Sequence, residues 1–230
     1  PANKQARIAA DVICGKNARY KGSIGTSIMK FFEMTVATAG EKEESLKAAG
    51  TPYRKTFTVS SSHAGYYPGG TQMVIKLLYS PEGRVLGAQI VGGEGVDKRI
   101  DTLAVAIRFG MSVSDLAEME LAYAPPFSSA KDPVNMAGFV AENVLDGAMT
   151  PFFADEIDAI PNNAVRLDVR NPGELAALGG IPGFVNIPLN QLRSRLDEVD
   201  LTRPVYVTCQ VGLRGYVAAR ILAQHGARVY

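Results

Sequence analysis

The strongest constraint on the fold is a change of rhythm near residue 150. Before it, strand-like runs of β-branched and aromatic residues flank turn residues, and helical patterns follow them. The clearest case is Gln72–Tyr79 and Arg84–Val91, joined by Ser80-Pro81-Glu82-Gly83, which reads as a hairpin. Further strands are expected over 29–39, alternating around Phe32, Met34 and Val36, and from Lys55 to Ser60. Helices are expected at Ile8, Ala9, Val12 and Ile13, ended by Gly15, and over 43–49, 97–109, after Ser112 and 133–145. Three or four antiparallel strands with helices on one side give an α+β domain.

After residue 150 strands and helices alternate. Strands are expected at 164–169, 185–186, 204–208 and 228–230, with helices at 172–178, 190–199 and 213–225. Such alternation predicts an α/β domain with a parallel sheet. Lysine usage changes at the same place: all ten lysines lie at or before Lys131. We therefore expect domains over 1–147 and 157–230, joined by a linker over 148–156. The start at Pro1 and the stop at Tyr230 suggest the edges of a longer protein.

Composition narrows the chemistry. With two cysteines far apart and two histidines, the chain can build neither a disulfide framework nor a Cys/His zinc cluster. A net charge of +1 without a basic run gives no footprint for nucleic acid or an anionic membrane. No apolar stretch approaches the ~20 residues of a membrane span. Unpaired thiols fit a cytoplasmic location.

Cys209 carries the sharpest signal. The buried-type strand Val205-Tyr206-Val207 delivers it to the strand's carboxyl end, where Gln210-Val211-Gly212-Leu213-Arg214 turns into a helix. Ligands bind at that end of an open α/β sheet. Converging amides, a helix N-terminus and Arg214 would favour the thiolate, the reactive form of cysteine. Cys14, with no partner, is expected to be packed and inert. The Gly92-Gly93-Glu94-Gly95 turn is a poor dinucleotide fingerprint, since the third glycine would fall at Lys98 and the preceding strand belongs to a hairpin. We expect an ordinary turn there, with Asp97 capping the next helix. Tyr66, Tyr67 and Tyr123 sit in Gly- and Pro-rich loops, and composition alone leaves binding and packing equally open.

The loop Cys209–Arg214 resembles the active-site loop of the rhodanese family. Leu167-Asp168-Val169-Arg170, Pro172-Gly173-Glu174-Leu175 and Ile181–Leu189 agree with it, although Gly180 stands where that family usually has His. The resemblance implies a sulfurtransferase that carries sulfane sulfur as a persulfide on Cys209. It also implies that the amides of Gln210, Val211, Gly212, Leu213 and Arg214 cradle the persulfide, and that Asp168 with Arg170 braces the loop.

Residues 1–147 resemble the C-terminal dimerisation domain of flavoprotein disulfide reductases, most of all coenzyme A-disulfide reductases and NADH-dependent persulfide reductases. The likeness lies in Tyr20–Thr26, Tyr66-Tyr67-Pro68-Gly69, Gly95–Asp101 and Ala122–Lys131. It implies a homodimer through 1–147, with Tyr66 and Tyr123 presented to the partner's flavin and redox cysteine. It implies FAD, NADH and coenzyme A as cofactors and substrate of a longer parent, with small thiol, disulfide or persulfide substrates. No cofactor is expected to bind this stretch tightly. The alternatives are a catalytically silent dimerisation or binding module and an auxiliary region of an NADH oxidase.

Overall fold

A computed structural model describes residues 1–230. The first domain opens with helix α1 (Ala2–Ile13), followed by strands β1 (Ser27–Phe31) and β2 (Met34–Gly40) and helix α2 (Glu43–Ala48). Strands β3 (Arg54–Ser61), β4 (Gln72–Tyr79) and β5 (Val85–Gly92) come next. Helices α3 (Val96–Phe109), α4 (Val113–Glu118) and α5 (Pro133–Leu145) close the domain. All pairings are antiparallel, in the order β1-β2-β5-β4-β3.

Alternation along β4 explains the layering. Met73, Ile75 and Leu77 point inward, against Ile100 and Leu103 of α3 and Val134, Ala137 and Ala141 of α5. Val74, on the opposite face, stays partly exposed. One face of the sheet is thus roofed by helices, as the α+β pattern predicts.

Three local expectations fail in this domain. The single strand expected over 29–39 is two strands, because Phe32 adopts φ 50° and turns the chain back at Phe32-Glu33. Helix α3 is entered through Gly95 at φ 74°, and Asp97 lies inside its first turn without capping it. Helix α1 buries none of its residues, so Cys14 beyond its end is exposed rather than packed.

The second domain contains β6 (Val165–Asp168), α6 (Pro172–Leu178), β7 (Val185–Asn186), α7 (Leu189–Leu192), β8 (Val205–Thr208) and α8 (Leu213–Gln224). The sheet is parallel, ordered β7-β6-β8. The helix expected over 190–199 is broken into the single turn α7 and a 3₁₀ turn at Leu196–Glu198. Residues 228–230 form one parallel bridge, Val205 to Val229, rather than a full strand. A separate core of Leu167, Val169, Ile187, Val205, Ala218 and Ile221 holds this domain together.

The segment between the domains touches both. Phe153 packs edge-on against Phe57 and lies under Lys55, while Phe152 packs edge-on against Tyr206. Arg220 of α8 donates to the Ala148 carbonyl at 2.6 Å.

Candidate functional site: a sulfur loop and a tyrosine pair

Parallel pairing sets Asp168 at the end of β6 opposite Thr208 at the end of β8. The next residue on β8's side is Cys209, so sulfur emerges at the carboxyl edge of the sheet. Gly212 turns the chain at φ 101°, a conformation that only glycine adopts without strain, and α8 starts immediately after it. The turn points two backbone amides at the sulfur. Those of Gly212 and Gly215 each donate to Cys209 Sγ at 3.2 Å. Amides aimed at one atom stabilise negative charge on it. Cys209 is half-buried, packed against the second core, whereas Gln210, Val211, Gly212 and Leu213 are exposed. Of the five residues expected to cradle the sulfur, Gly212 donates to it. Gly215, one position beyond them, supplies the second bond.

Arg214 does not hydrogen-bond to the sulfur. Its Nη1 and Nη2 donate to the two carboxylate oxygens of Glu174, both at 2.6 Å. Glu174 Oε2 also accepts from the Asn171 amide at 3.0 Å, closing the capping box of α6. These bonds, from Arg214 first and the Asn171 amide second, pull the Glu174 carboxyl down to about 2. Such a group holds its partner until pH falls through that value, so the stabilisation present above the ordinary carboxylate range is lost between about 4.5 and about 2. Carbon-detected NMR titration of Glu174 is expected to show a midpoint near 2, moving up toward the ordinary carboxylate range in Arg214→Gln. An unshifted midpoint in that variant would remove Arg214 as the cause.

A second charged pair is buried beside the sulfur strand. Arg170 Nε and Nη2 donate to Asp168 Oδ2 at 2.9 and 2.6 Å, and Nη2 also reaches the Gly179 carbonyl at 3.1 Å. Asn186 Nδ2 donates to the carbonyls of Asp168 at 2.9 Å and Arg170 at 2.8 Å. The ends of β6, α6 and β7 are thereby tied together, and the Val169 amide donates to Thr208 next to Cys209.

In the first domain the structure joins Tyr66 and Tyr123 from loops 57 residues apart, with their hydroxyls 3.2 Å from each other. The bond from Tyr66 raises the Tyr123 phenol above its ordinary value. Both rings are exposed, and Tyr123 lines a cleft of about 480 Å³ together with His63, Lys98 and Phe127. Under it lies Arg99, 1% exposed. Its Nη2 donates to the Ser62 carbonyl at 2.9 Å, to Ser128 Oγ at 3.2 Å and to Asp132 Oδ2 at 2.9 Å. Its Nη1 reaches the Gly95 carbonyl at 3.2 Å. Arg99 therefore ties the base of the Tyr66 loop to the end of the Tyr123 loop.

Glu174, Arg99 and Asp132 were not singled out by residue pattern. Glu174 could have been noticed from Asn-x-x-Glu, the spacing of a capping box, and Asp132 from its place before Pro133 at a helix start; Arg99 carries no local signal.

The Gly92–Gly95 turn follows β5, a strand of an antiparallel hairpin, so it lacks the βαβ setting of a dinucleotide fingerprint. A Cβ on Gly93 would meet the Thr71 side chain at 2.8 Å, and the Glu94 amide already donates to Thr71 Oγ1 at 2.8 Å. No group of three or more His, Cys, Asp or Glu converges as a metal site, and no helix is long and apolar enough to cross a membrane.

Comparison with known proteins agrees with both domains. The dimerisation domain of pyridine nucleotide-disulphide oxidoreductases matches residues 26–133, and the rhodanese-like domain matches 153–230. Coenzyme A disulfide reductase of Staphylococcus haemolyticus is 41% identical over 145 residues, 62% of this chain and 32% of that protein. The crystal structure of reduced Bacillus anthracis CoADR-RHD superposes with a TM-score of 0.96 at 49% identity, over 100% of this chain and 42% of that one. An NAD-dependent persulfide reductase from A. fulgidus gives 0.87 at 39% identity, over 99% and 41%. The chain thus spans about a third of the curated relatives it matches. The chain is thus homologous to coenzyme A disulfide reductase and NAD-dependent persulfide reductase, joining a match to the dimerisation domain of pyridine nucleotide-disulphide oxidoreductases to a rhodanese-like domain.

Proposed function

We propose that this chain carries sulfane sulfur as a persulfide on Cys209, within a parent enzyme that reduces coenzyme A disulfide or persulfide, or a related disulfide or persulfide. The observation that carries the reading is the pair of amides, from Gly212 and Gly215, aimed at Sγ. A thiolate is the nucleophile in sulfur exchange, and amides that converge on it favour the anion before and after transfer. Asp168 and Arg170 act as positioning residues, fixing the strand ends on which Cys209 is mounted.

Residues 1–147 would form the dimer, and those after the 148–156 joint the sulfur-carrying domain. The paired hydroxyls of Tyr66 and Tyr123 offer an O–H donor to a thiol or thiolate bound in front of them. In the parent, FAD and NADH would supply electrons from outside these residues. Its partners would be a second copy of the chain and small thiol, disulfide or persulfide substrates, in a reducing, cytoplasmic setting.

The test uses the chain as it stands. Treated with glutathione persulfide, the Cys209 peptide is expected to gain the mass of one sulfur atom, and cyanide then to release that sulfur as thiocyanate. Cys209→Ser is expected to release far less, from the exposed Cys14 alone. Equal thiocyanate from the two proteins would overturn the reading and leave a silent binding module.

A further inference from the structure

Arg214 is the cation best placed to serve the sulfur loop, since it opens α8 five residues after Cys209. Its guanidinium is nevertheless committed elsewhere. Both terminal nitrogens are held by Glu174 at 2.6 Å, the bidentate arrangement in which guanidinium–carboxylate bonds are strongest. Glu174 is itself pinned by the Asn171 amide at the start of α6. Each side chain of the pair is 28% exposed, so the pair is open to solvent beside the exposed residues Gln210–Leu213. The other charged pair nearby, Asp168 with Arg170, is buried and internally matched. Neither Arg214 nor Arg170 is thus left unpaired beside the amides of the loop.

This arrangement bears on which donors the loop accepts. In transfer from an alkyl persulfide, RSSH, the Cys209 thiolate attacks the outer sulfur. The donor's S–S bond breaks, its electron pair leaves on RS⁻, a new S–S bond forms, and the proton stays on the transferred sulfur. The products are RS⁻ and Cys209–SSH, and the leaving group carries one charge. With thiosulfate the same attack gives Cys209–SS⁻ and sulfite. A dianion must then approach a thiolate and a dianion must leave, which needs a counter-cation at the oxygens.

Building on the persulfide reading above, we propose that Glu174 is a specificity-determining residue: by occupying Arg214, it denies oxyanionic donors their counter-cation and reserves the loop for thiol-derived persulfides. The negative element is the filled guanidinium, and the selection works by withholding a contact from the wrong donor.

The experiment measures sulfur gain on the Cys209 peptide by mass spectrometry, which separates it from the exposed Cys14. Rates are taken with thiosulfate and with glutathione persulfide, and their ratio is the readout. Glu174→Gln is expected to raise the thiosulfate-to-persulfide ratio by about tenfold or more, as one charge-assisted hydrogen bond to the donor becomes available. Adding Arg214→Gln to that variant is expected to return the ratio to the native value, which a merely structural role for Glu174 would not do. Should Glu174→Gln not fold, Glu174→Asp keeps an acidic third residue for the cap, as Asp115 provides for Ser112. Its shorter reach loosens Arg214, and an increase in the ratio is again expected. An unchanged ratio in folded variants, or a raised ratio that Arg214→Gln does not reverse, overturns the role of Glu174 alone. Failure of native Cys209 to take sulfur from either donor overturns the persulfide reading, and this inference with it.

Discussion

Replacing Arg99 by Met is expected to lower the unfolding free energy of the dimerisation domain by ~3–5 kcal/mol, the usual cost of stranding one member of a buried ion pair. Arg99 is 1% exposed and Asp132 3%. Burial alone pushes the Asp132 carboxyl up, but the Val134 amide, the Ser128 hydroxyl and Arg99 together bring it below its ordinary value. Without Arg99 the burial penalty gains ground, and a charged Asp132 is left with the Ser128 hydroxyl, the Val134 amide and Lys98, whose Nζ lies 3.9 Å away. The pH dependence follows. In the native protein the lowered carboxyl adds stability above its unfolded value, and loses it as pH falls through the lower folded value. In the variant the carboxyl takes up a proton at higher pH, so the gap between the two proteins should narrow as the medium is acidified. Denaturant titrations at neutral and acidic pH check this, and a gap that does not change would remove Asp132 from the explanation. Arg99→Lys keeps the charge but lacks the planar fork that spans Ser62, Gly95 and Asp132, so an intermediate loss is expected. Loosening the two loops should also separate Tyr66 from Tyr123, and the Tyr123 phenol should then titrate nearer its ordinary value, read by ultraviolet absorbance.

What could be read from the sequence depended on how local each signal was. Helix α5 was legible to the residue because Asp132 caps it, Pro133 occupies its first turn and its apolar stripe runs unbroken to Leu145. Strand β4 was legible for the same kind of reason, since alternation and the Pro81–Gly83 turn agree. The β1–β2 turn was hidden because Phe32 takes the left-handed conformation without any glycine or asparagine to announce it. Leu192, Leu196 and Val199 have helical spacing and are all wholly or partly buried, but the chain reaches those positions through a helical turn and a 3₁₀ turn. Periodicity reports which residues face the core and not the path between them.

The candidate site divides in the same way. Cys209 with its glycine turn is a contiguous strand–loop–helix unit, so its geometry was foreseeable. Arg214 was placed beside the sulfur in sequence, but its guanidinium is claimed by Glu174, 40 residues away. Arg99 meets Asp132 across 33 residues, and the tyrosine hydroxyls meet across 57. Such contacts are products of the tertiary fold. Composition drew attention to the two tyrosines but left binding and packing equally open, and the resemblance to disulfide reductases pointed to their role.

Asp168→Ala is expected to abolish sulfur loading at Cys209 while leaving the dimerisation domain folded. The side chain is buried, and it is the only carboxylate that hydrogen-bonds Arg170, itself 7% exposed. Its removal strands a guanidinium that cannot be neutralised by losing a proton, at a cost of ~3–5 kcal/mol. That cost falls where β6, β7 and the Gly179 carbonyl are tied together, and β8 hydrogen-bonds to β6 one residue before Cys209. Asp168→Asn keeps the shape and one acceptor oxygen, so a smaller loss is expected. The two hydrophobic cores share no residue, which confines the damage. Hydrogen exchange should therefore show lost protection over 165–230 and retained protection over 72–92. Native sulfur uptake in the alanine variant would show that the buried pair does not position the loop. Loss of protection in both regions would show instead that the domains unfold as one unit, coupled through Phe152, Phe153 and the bond from Arg220 to Ala148.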